Sequence, residues 1–207
     1  MFKQAILPDT LRAIQLAAKV PIVQRAYLAG GTALALRLGH RISVDLDFFT
    51  QEEFDEQLVL ADLRKYGLEK EATAWMTVKG KFGETDISLF WYKYPILDVM
   101  DKFEGLNILG KRDVAAMKIN ALYDRGTGRD FADIYFLAKE FSFEEMMDFY
   151  DRKYGNLEDR KYSILRSLDS FEEAEAEKKE PQMLMDYDWE EAKKFFRAEA
   201  MRLAKSL

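Results

Sequence analysis

Apolar residues recur along this chain with two different periods, and the switch between them sketches the architecture. Between Asp9 and Val20, Leu11, Ile14 and Ala18 fall at helical spacing with Ala17 beside them, after an aspartate placed to cap. An amphipathic helix is predicted there. Residues 26–29 read as a short apolar strand, Thr32 to Leu38 as a short helix following two glycines, and Ser43 to Phe49 as a second strand. Glu53 to Tyr66 returns to the helical period through Phe54, Leu58, Leu63 and Tyr66, with Gly67 placed to end it. From Leu68 to Tyr94 the runs shorten, alternate and become rich in Thr, Trp, Phe and Tyr. Broken by Gly80 and Gly83, they predict antiparallel strands joined by a turn.

After Pro95 the pattern is almost wholly helical. Asp113 is placed to cap a helix running to about Asp124, Gly126-Thr127-Gly128 breaks it, and Asp130 is placed to cap the next, which carries Phe131, Ile134, Tyr135 and Leu137. Ser142 with Glu145, and Asp188 with Glu191, have the spacing of capping boxes. The last helix, Trp189 to about Ala204, sets Ala192, Phe195, Phe196, Ala200 and Leu203 on one side, with Glu199 intruding. There is no internal repeat. The fold class predicted is α+β, a small mixed sheet with flanking helices over residues 1–100 and a helical region over 101–207, the boundary falling between Pro95 and Asp113.

Composition narrows the function more than the fold. With 48% hydrophobic and 33% charged residues in 207, the chain can bury a sizeable core. No apolar run approaches the roughly 18–20 residues of a membrane span, and the start lacks the pattern of an export signal, so a cytoplasmic protein without a membrane partner is expected. Zero cysteines exclude disulfides, thiolate zinc sites and cysteine nucleophiles, and a single histidine excludes a His-rich metal site. A net charge of −6 argues against a nucleic-acid binder of the basic type. Charge is unevenly spread, however: Lys111, Arg112, Lys118, Arg125 and Arg129 predict a basic lip, and Glu172 to Glu180 a mostly acidic segment.

The chemistry is concentrated in Leu28-Ala29-Gly30-Gly31-Thr32 and Ser43-Val44-Asp45-Leu46-Asp47-Phe48-Phe49. Two glycines where a strand gives way to a helix let backbone amides and a helix start face an anion. On an extended segment Asp45 and Asp47 share one face, while Leu46 and Phe48 point into a core. Neighbouring carboxylates are costly unless a cation sits between them, and a hard divalent ion such as Mg²⁺, or Mn²⁺, suits carboxylate and phosphate oxygens. Asp86, in Thr85-Asp86-Ile87-Ser88-Leu89, is the candidate third ligand, with Glu84 able to play the same part or Asp86 to be a solvent-facing strand residue. Thr32 can cap the helix or donate to a phosphate, and Ser43 can touch phosphate or pair across the sheet. Lys118 lies at the edge of an apolar helical face, where it either snorkels or extends its ammonium to a triphosphate, with Arg125 and Arg129 extending the positive surface. Asp130 and Asp133, neighbours on one helical face, are placed to orient Lys118 or an arginine. His40 has no serine or cysteine partner in a recognisable arrangement and is expected in a loop near the glycine turn. Phe90, Trp91, Tyr92 and Tyr94 are either a base-stacking set or ordinary sheet aromatics.

Three blocks in this order, Gly30-Gly31-Thr32-Ala33-Leu34, Ser43 through Phe49, and Lys118-x-x-Ala121-Leu122-x-x-Arg125-x-x-x-Arg129-Asp130-x-x-Asp133, resemble the AbiEii/AbiGii toxin family of nucleotidyltransferases, within the DNA polymerase β-like superfamily. The match covers about residues 25–140. The resemblance implies that Asp45 and Asp47 bind metal, Gly30 and Gly31 form the phosphate turn, Lys118 contacts the nucleotide and Asp133 is the last motif acid. Where many superfamily members have Gly-Ser, this chain has Gly31-Thr32. Members of that family act as toxins of toxin–antitoxin or phage-defence pairs, so a cognate antitoxin is an expected partner, while toxicity itself does not carry over from the motif residues. The activity expected is transfer of a nucleoside monophosphate from an NTP to a hydroxyl of RNA, such as tRNA, or of protein. Two alternatives of other classes stand beside it: a D-x-D glycosyltransferase using a nucleotide sugar, and a non-catalytic partner-binding domain.

Overall fold

The computed structural model describes residues 1–177 and 180–205, so residues 178 and 179 of the acidic segment lie outside the described residues. The chain divides into two compact units, Met1–Gly110 and Lys111–Leu207.

The first unit is built on a mixed sheet. Its strands are β1 (Tyr27–Leu28), β2 (Leu46–Thr50), β3 (Glu69–Ala74), β4 (Thr77–Phe82), β5 (Thr85–Trp91), β6 (Asp101–Phe103) and β7 (Leu106–Ile108), arranged β3-β4-β5-β2-β1-β7-β6. β2 runs parallel to β5 and antiparallel to β1, and β7 runs parallel to β1. Period-2 alternation gives the sheet a dry side and an open side. Leu46, Phe48, Val78, Phe82, Ile87 and Leu89 are buried. Asp47, Phe49, Lys81, Ser88 and Phe90 are half-buried, and Lys79 and Asp86 are exposed.

Four helices belong to this unit: α1 (Pro8–Ala17), α2 (Pro21–Arg25), α3 (Gly30–Leu38) and α4 (Glu56–Arg64). Asp9 does not cap α1; it sits in the first turn, and Pro8, whose ring presets a helical φ, begins the helix. Asp55 caps α4 by accepting from Gln57 N at 2.8 Å and Leu58 N at 3.0 Å. This later start turns Val59, Leu60 and Leu63 inward and leaves Leu58 70% exposed. Gly80 is not a break. It lies inside β4 because a Cβ there would come within 2.7 Å of Leu68 Cγ and 2.9 Å of the Glu69 carbonyl. The region after Pro95 also departs from the all-helical expectation, since β6 and β7 form a hairpin whose second strand pairs with β1. Three-residue strands are too short to show a period, and their pairing is a long-range property.

The second unit is helical: α5 (Lys111–Asp124), α6 (Gly128–Leu137), α7 (Phe143–Tyr154), α8 (Leu157–Ser167), α9 (Glu172–Ala176) and α10 (Trp189–Ala204). Its core includes Val114, Ile119, Ile134, Met146, Tyr150 and Phe131, and the Phe131 ring lies 5.0 Å from Phe171 and 5.0 Å from Phe196. Ser142 and Glu145 make the reciprocal capping box at α7, and Asp188 caps α10 by accepting from Glu191 N. Two expected caps are displaced inward. Thr127 caps α6 in place of Asp130, and Asp113 lies inside α5 with no exposed surface. Among the described residues no helix is long and apolar enough to cross a membrane.

Candidate functional site

In the first unit the site begins where β1 ends. Ala29 is extended and donates its N–H to the Asp47 carbonyl at 2.9 Å, drawing the start of α3 against β2. Gly30 then takes φ +62°, a left-handed conformation that costs a side-chain-bearing residue about 1–2 kcal/mol. The absence of a side chain matters a second time, because a Cβ at Gly30 would lie 3.1 Å from Asp47 Oδ2. At Gly31 a Cβ would meet Arg41 Nη2 at 2.5 Å and Ser43 Oγ at 3.4 Å. The glycine pair is therefore the surface on which Asp47, Arg41 and Ser43 pack. Ala29 at the N-cap offers no side-chain acceptor and no acid occupies the first turn of α3, so the positive end of the helix meets the Asp47 carboxylate.

Thr32 holds this arrangement from beneath. Its hydroxyl bonds to the Asp45 carbonyl and to Ser43 Oγ, the latter at 2.8 Å, and it is buried. Ser43 in turn donates its backbone N–H to the Ala5 carbonyl at 2.9 Å, and Ile6 bridges to Ser43 in parallel. The segment expected as one strand from Ser43 is thus a bridge at Ser43 followed by β2 from Leu46. Asp45 immediately precedes that strand, and Asp47 lies within it beside fully buried Leu46 and Phe48. Both acids are half-buried.

Asp86 lies on β5 and is 56% exposed, its Oδ2 2.9 Å from Lys81 Nζ. Among the described residues no three Asp, Glu or His side chains stand together as metal ligands, so Asp45, Asp47 and Asp86 are not assembled as a three-acid set. A lysine on the neighbouring strand has taken the third acid. His40 is fully buried just after the left-handed Gly39 that ends α3. Arg41 and Lys81 were missed from sequence. Arg41 reads as a loop base and Lys81 as one of many strand lysines until packing puts the first on Gly31 and the second on Asp86.

The second unit carries a separate charge cluster. Lys118 Nζ, its side chain 6% exposed, lies 2.9 Å from Asp130 Oδ1 and 2.6 Å from Asp133 Oδ2, with both acids fully buried. Lys118 does not snorkel; its ammonium is held inside. Arg125 adds two bonds to Asp130 at 2.8 and 3.0 Å, and the Thr127 hydroxyl a third at 2.7 Å. Burial alone would raise the Asp130 pKa, but the Lys118 charge and the Arg125 and Thr127 hydrogen bonds overcome it and hold the carboxyl far below its usual range. Arg129 is exposed. A second pair, Lys153 Nζ to Asp113 Oδ1 at 2.7 Å, is completely buried and ties α7 to α5.

A glycine turn opens a helix beside a strand that carries Asp47 and is preceded by Asp45, on a mixed sheet, and this agrees with a nucleotidyltransferase fold. The model of the AbiEii family, nucleotidyl transferase toxins of type IV toxin–antitoxin systems, matches residues 14–88 and 93–203, and the chain belongs to that family. It is a nucleotidyltransferase. An uncharacterized protein of Aquifex aeolicus (strain VF5) is 35% identical over 184 residues, covering 83% of this chain and 84% of its own length. Among solved structures, MenT4, a nucleotidyltransferase toxin of Mycobacterium tuberculosis H37Rv, superposes with a TM-score of 0.58 at 13% identity, covering 93% of this chain and 81% of that one. JHP933 from Helicobacter pylori gives 0.52 at 21% identity, covering 98% and 94%. These two likenesses are of fold. Family membership sets aside the glycosyltransferase and non-catalytic alternatives.

Proposed function

We propose that this chain transfers a nucleoside monophosphate from an NTP to a hydroxyl of RNA, such as tRNA, or of protein. One observation carries the reading: the Asp47 carboxylate lies against the bare backbone of Gly30 at the positive start of α3. Oxygen ligands for a cation and N–H donors for a phosphate adjoin within the space of one methyl group.

Asp45 and Asp47 fit a hard divalent ion, Mg²⁺ or Mn²⁺. Such an ion takes oxygen ligands, and one or two carboxylates suffice when substrate phosphates and water complete its shell. Asp45 and Asp47 would hold the ion, which would supply positive charge to offset that on the phosphates. Gly30 and Gly31 offer N–H groups to the phosphates, and Arg41 contributes positive charge behind them. Thr32 and Ser43 keep the turn and the Asp45 segment in register. Asp86, once released by Lys81, would be the third acid at the ion and lower the barrier to deprotonating the attacking hydroxyl, whose proton passes to water as its oxygen bonds to the α-phosphorus. The opposite P–O bond breaks in line, and pyrophosphate leaves with the electron pair. On the family resemblance, Lys118, Arg125, Arg129 and Asp133 serve the nucleotide; Arg125 and Arg129 are exposed and would contact it, with buried Lys118 and Asp133 holding charge behind them. A cognate antitoxin as partner and action in the cytoplasm complete the proposal.

The test incubates the protein with each labelled NTP, Mg²⁺ and either total RNA or total protein. Label transfer that disappears in Asp45→Asn and Asp47→Asn supports the reading. Equal Mg²⁺-dependent NTP binding by wild type and both variants overturns it.

A further inference from the structure

The third carboxylate of the open sheet face is already paired with a cation built into the chain. Lys81 and Asp86 are register partners across β4 and β5, with Nζ 2.9 Å from Oδ2. In turn β5 pairs with β2 so that Ile87 faces Leu46 and Ser88 faces Asp47. Asp86 therefore stands at the Asp45 end of β2, on the face that carries Asp47. The lysine side chain is 25% exposed and the acid 56%, so the cation is the better-anchored member of the pair. Its neighbour on that face, Lys79, is turned over the Phe90 ring, 5.5 Å from the centroid. Asp86 accepts a hydrogen bond from Lys81, and the negative charges of Glu84 and Asp45 lie near enough to attract the same ammonium.

We propose that Lys81 is an internal counter-cation on this sheet face, a positioning residue that tethers the Asp86 carboxylate to β4 and must yield it before Asp86 can join Asp45 and Asp47 at a divalent ion. The inference rests on the metal reading given under Proposed function. Several carboxylates close together repel unless a positive charge lies among them, and a lysine, a compact point charge on a flexible stem, supplies one without coordinating. Its presence lowers the affinity of the acids for a bare divalent ion. An ion arriving with a triphosphate meets a different balance, because the phosphates bring oxygens to the ion and a new anionic partner to Lys81. Lys81 thereby favours loading of ion and nucleotide together over loading of the ion first.

The experiment measures binding of Mn²⁺ alone, without nucleotide, from the electron paramagnetic resonance signal of unbound Mn²⁺. The variants are Lys81→Gln, Lys81→Met, Lys81→Arg, Asp47→Asn, Asp86→Asn and Lys81→Gln/Asp86→Asn, each shown to be folded by circular dichroism. Loss of the lysine charge is expected to tighten Mn²⁺ binding about two- to five-fold, the range of a partly exposed ion pair. Lys81→Arg is expected to bind like wild type. Adding Asp86→Asn to Lys81→Gln is expected to abolish the gain. Unchanged or weaker binding in both neutral variants, beside a clear loss in Asp47→Asn, overturns the role of Lys81 and leaves the metal reading standing. Equal binding by wild type and Asp47→Asn removes the metal reading, and this inference with it.

Discussion

Replacing Lys118 by Met removes the charge that neutralises Asp130 and Asp133 while keeping much of the side-chain volume. Both acids are fully buried, and Lys118 Nζ lies 2.9 and 2.6 Å from them. Breaking a buried pair by deleting one partner leaves buried charge poorly compensated and costs about 3–5 kcal/mol. Asp130 keeps its bonds from Arg125 and Thr127, which limits the loss at that acid. The assay is urea unfolding followed at Trp189, which packs 5.6 Å from Phe131 in the second unit, in a background where Trp75 and Trp91 are Phe. With a urea dependence of about 2 kcal/mol per molar, the midpoint is expected to fall by roughly 1.5–2.5 M. Adding Asp133→Asn to Lys118→Met is expected to restore part of the loss, since a neutral amide tolerates burial better than an unbalanced carboxylate. A loss below about 1 kcal/mol, the scale of an exposed ion pair, would refute the argument that this cluster is dry and mutually dependent.

Gly30→Ala is expected to lower stability by about 1–2 kcal/mol from the +62° φ and, by pressing on Asp47 Oδ2, to weaken Mn²⁺-dependent nucleotide binding by more than that loss explains; unfolding curves and nucleotide titrations read the two separately. Thr32→Val deletes the hydroxyl that holds the Asp45 carbonyl and Ser43 and is expected to cost about 1–3 kcal/mol, visible in thermal melts of the first unit. The depressed Asp130 pKa carries a definite sign. Its folded value lies below the unfolded value near 3.9, so its stabilisation is fully present above about pH 4 and is lost as pH falls toward the folded value. Between pH 4 and 2.5 the Trp189 transition of wild type is expected to weaken more steeply than that of Lys118→Met/Asp130→Asn, by up to about 1.4 kcal/mol per pH unit; parallel slopes would show that the pair does not perturb Asp130.

What the chain's linear order determined by itself is local or periodic. The glycine turn, the alternation that buries Leu46 and Phe48 beside half-buried Asp47, the capping box at Ser142 and the cap at Asp188 all depend on residues within a few positions of one another. Backbone geometry acts there without help from distant segments. The spacing of Asp130 and Asp133 likewise put both acids on one helical face, and both hold Lys118.

What required tertiary structure is every feature whose cause lies far along the chain. The hairpin of β6 and β7 exists because β7 finds β1 some eighty residues earlier, and three-residue strands carry too few positions to reveal a period. Asp113 and Asp130 look like helix caps in the sequence, yet Lys153 and Lys118 draw them inside, since a buried carboxylate is tolerated only against a cation. Gly80 reads as a breaker, whereas it clears room for Leu68. Arg41 against Gly31 and Lys81 against Asp86 are ordinary basic residues until packing and strand register bring them to the acids. Proximity in space, which no period encodes, is what turns such residues from solvated charges into parts of a site.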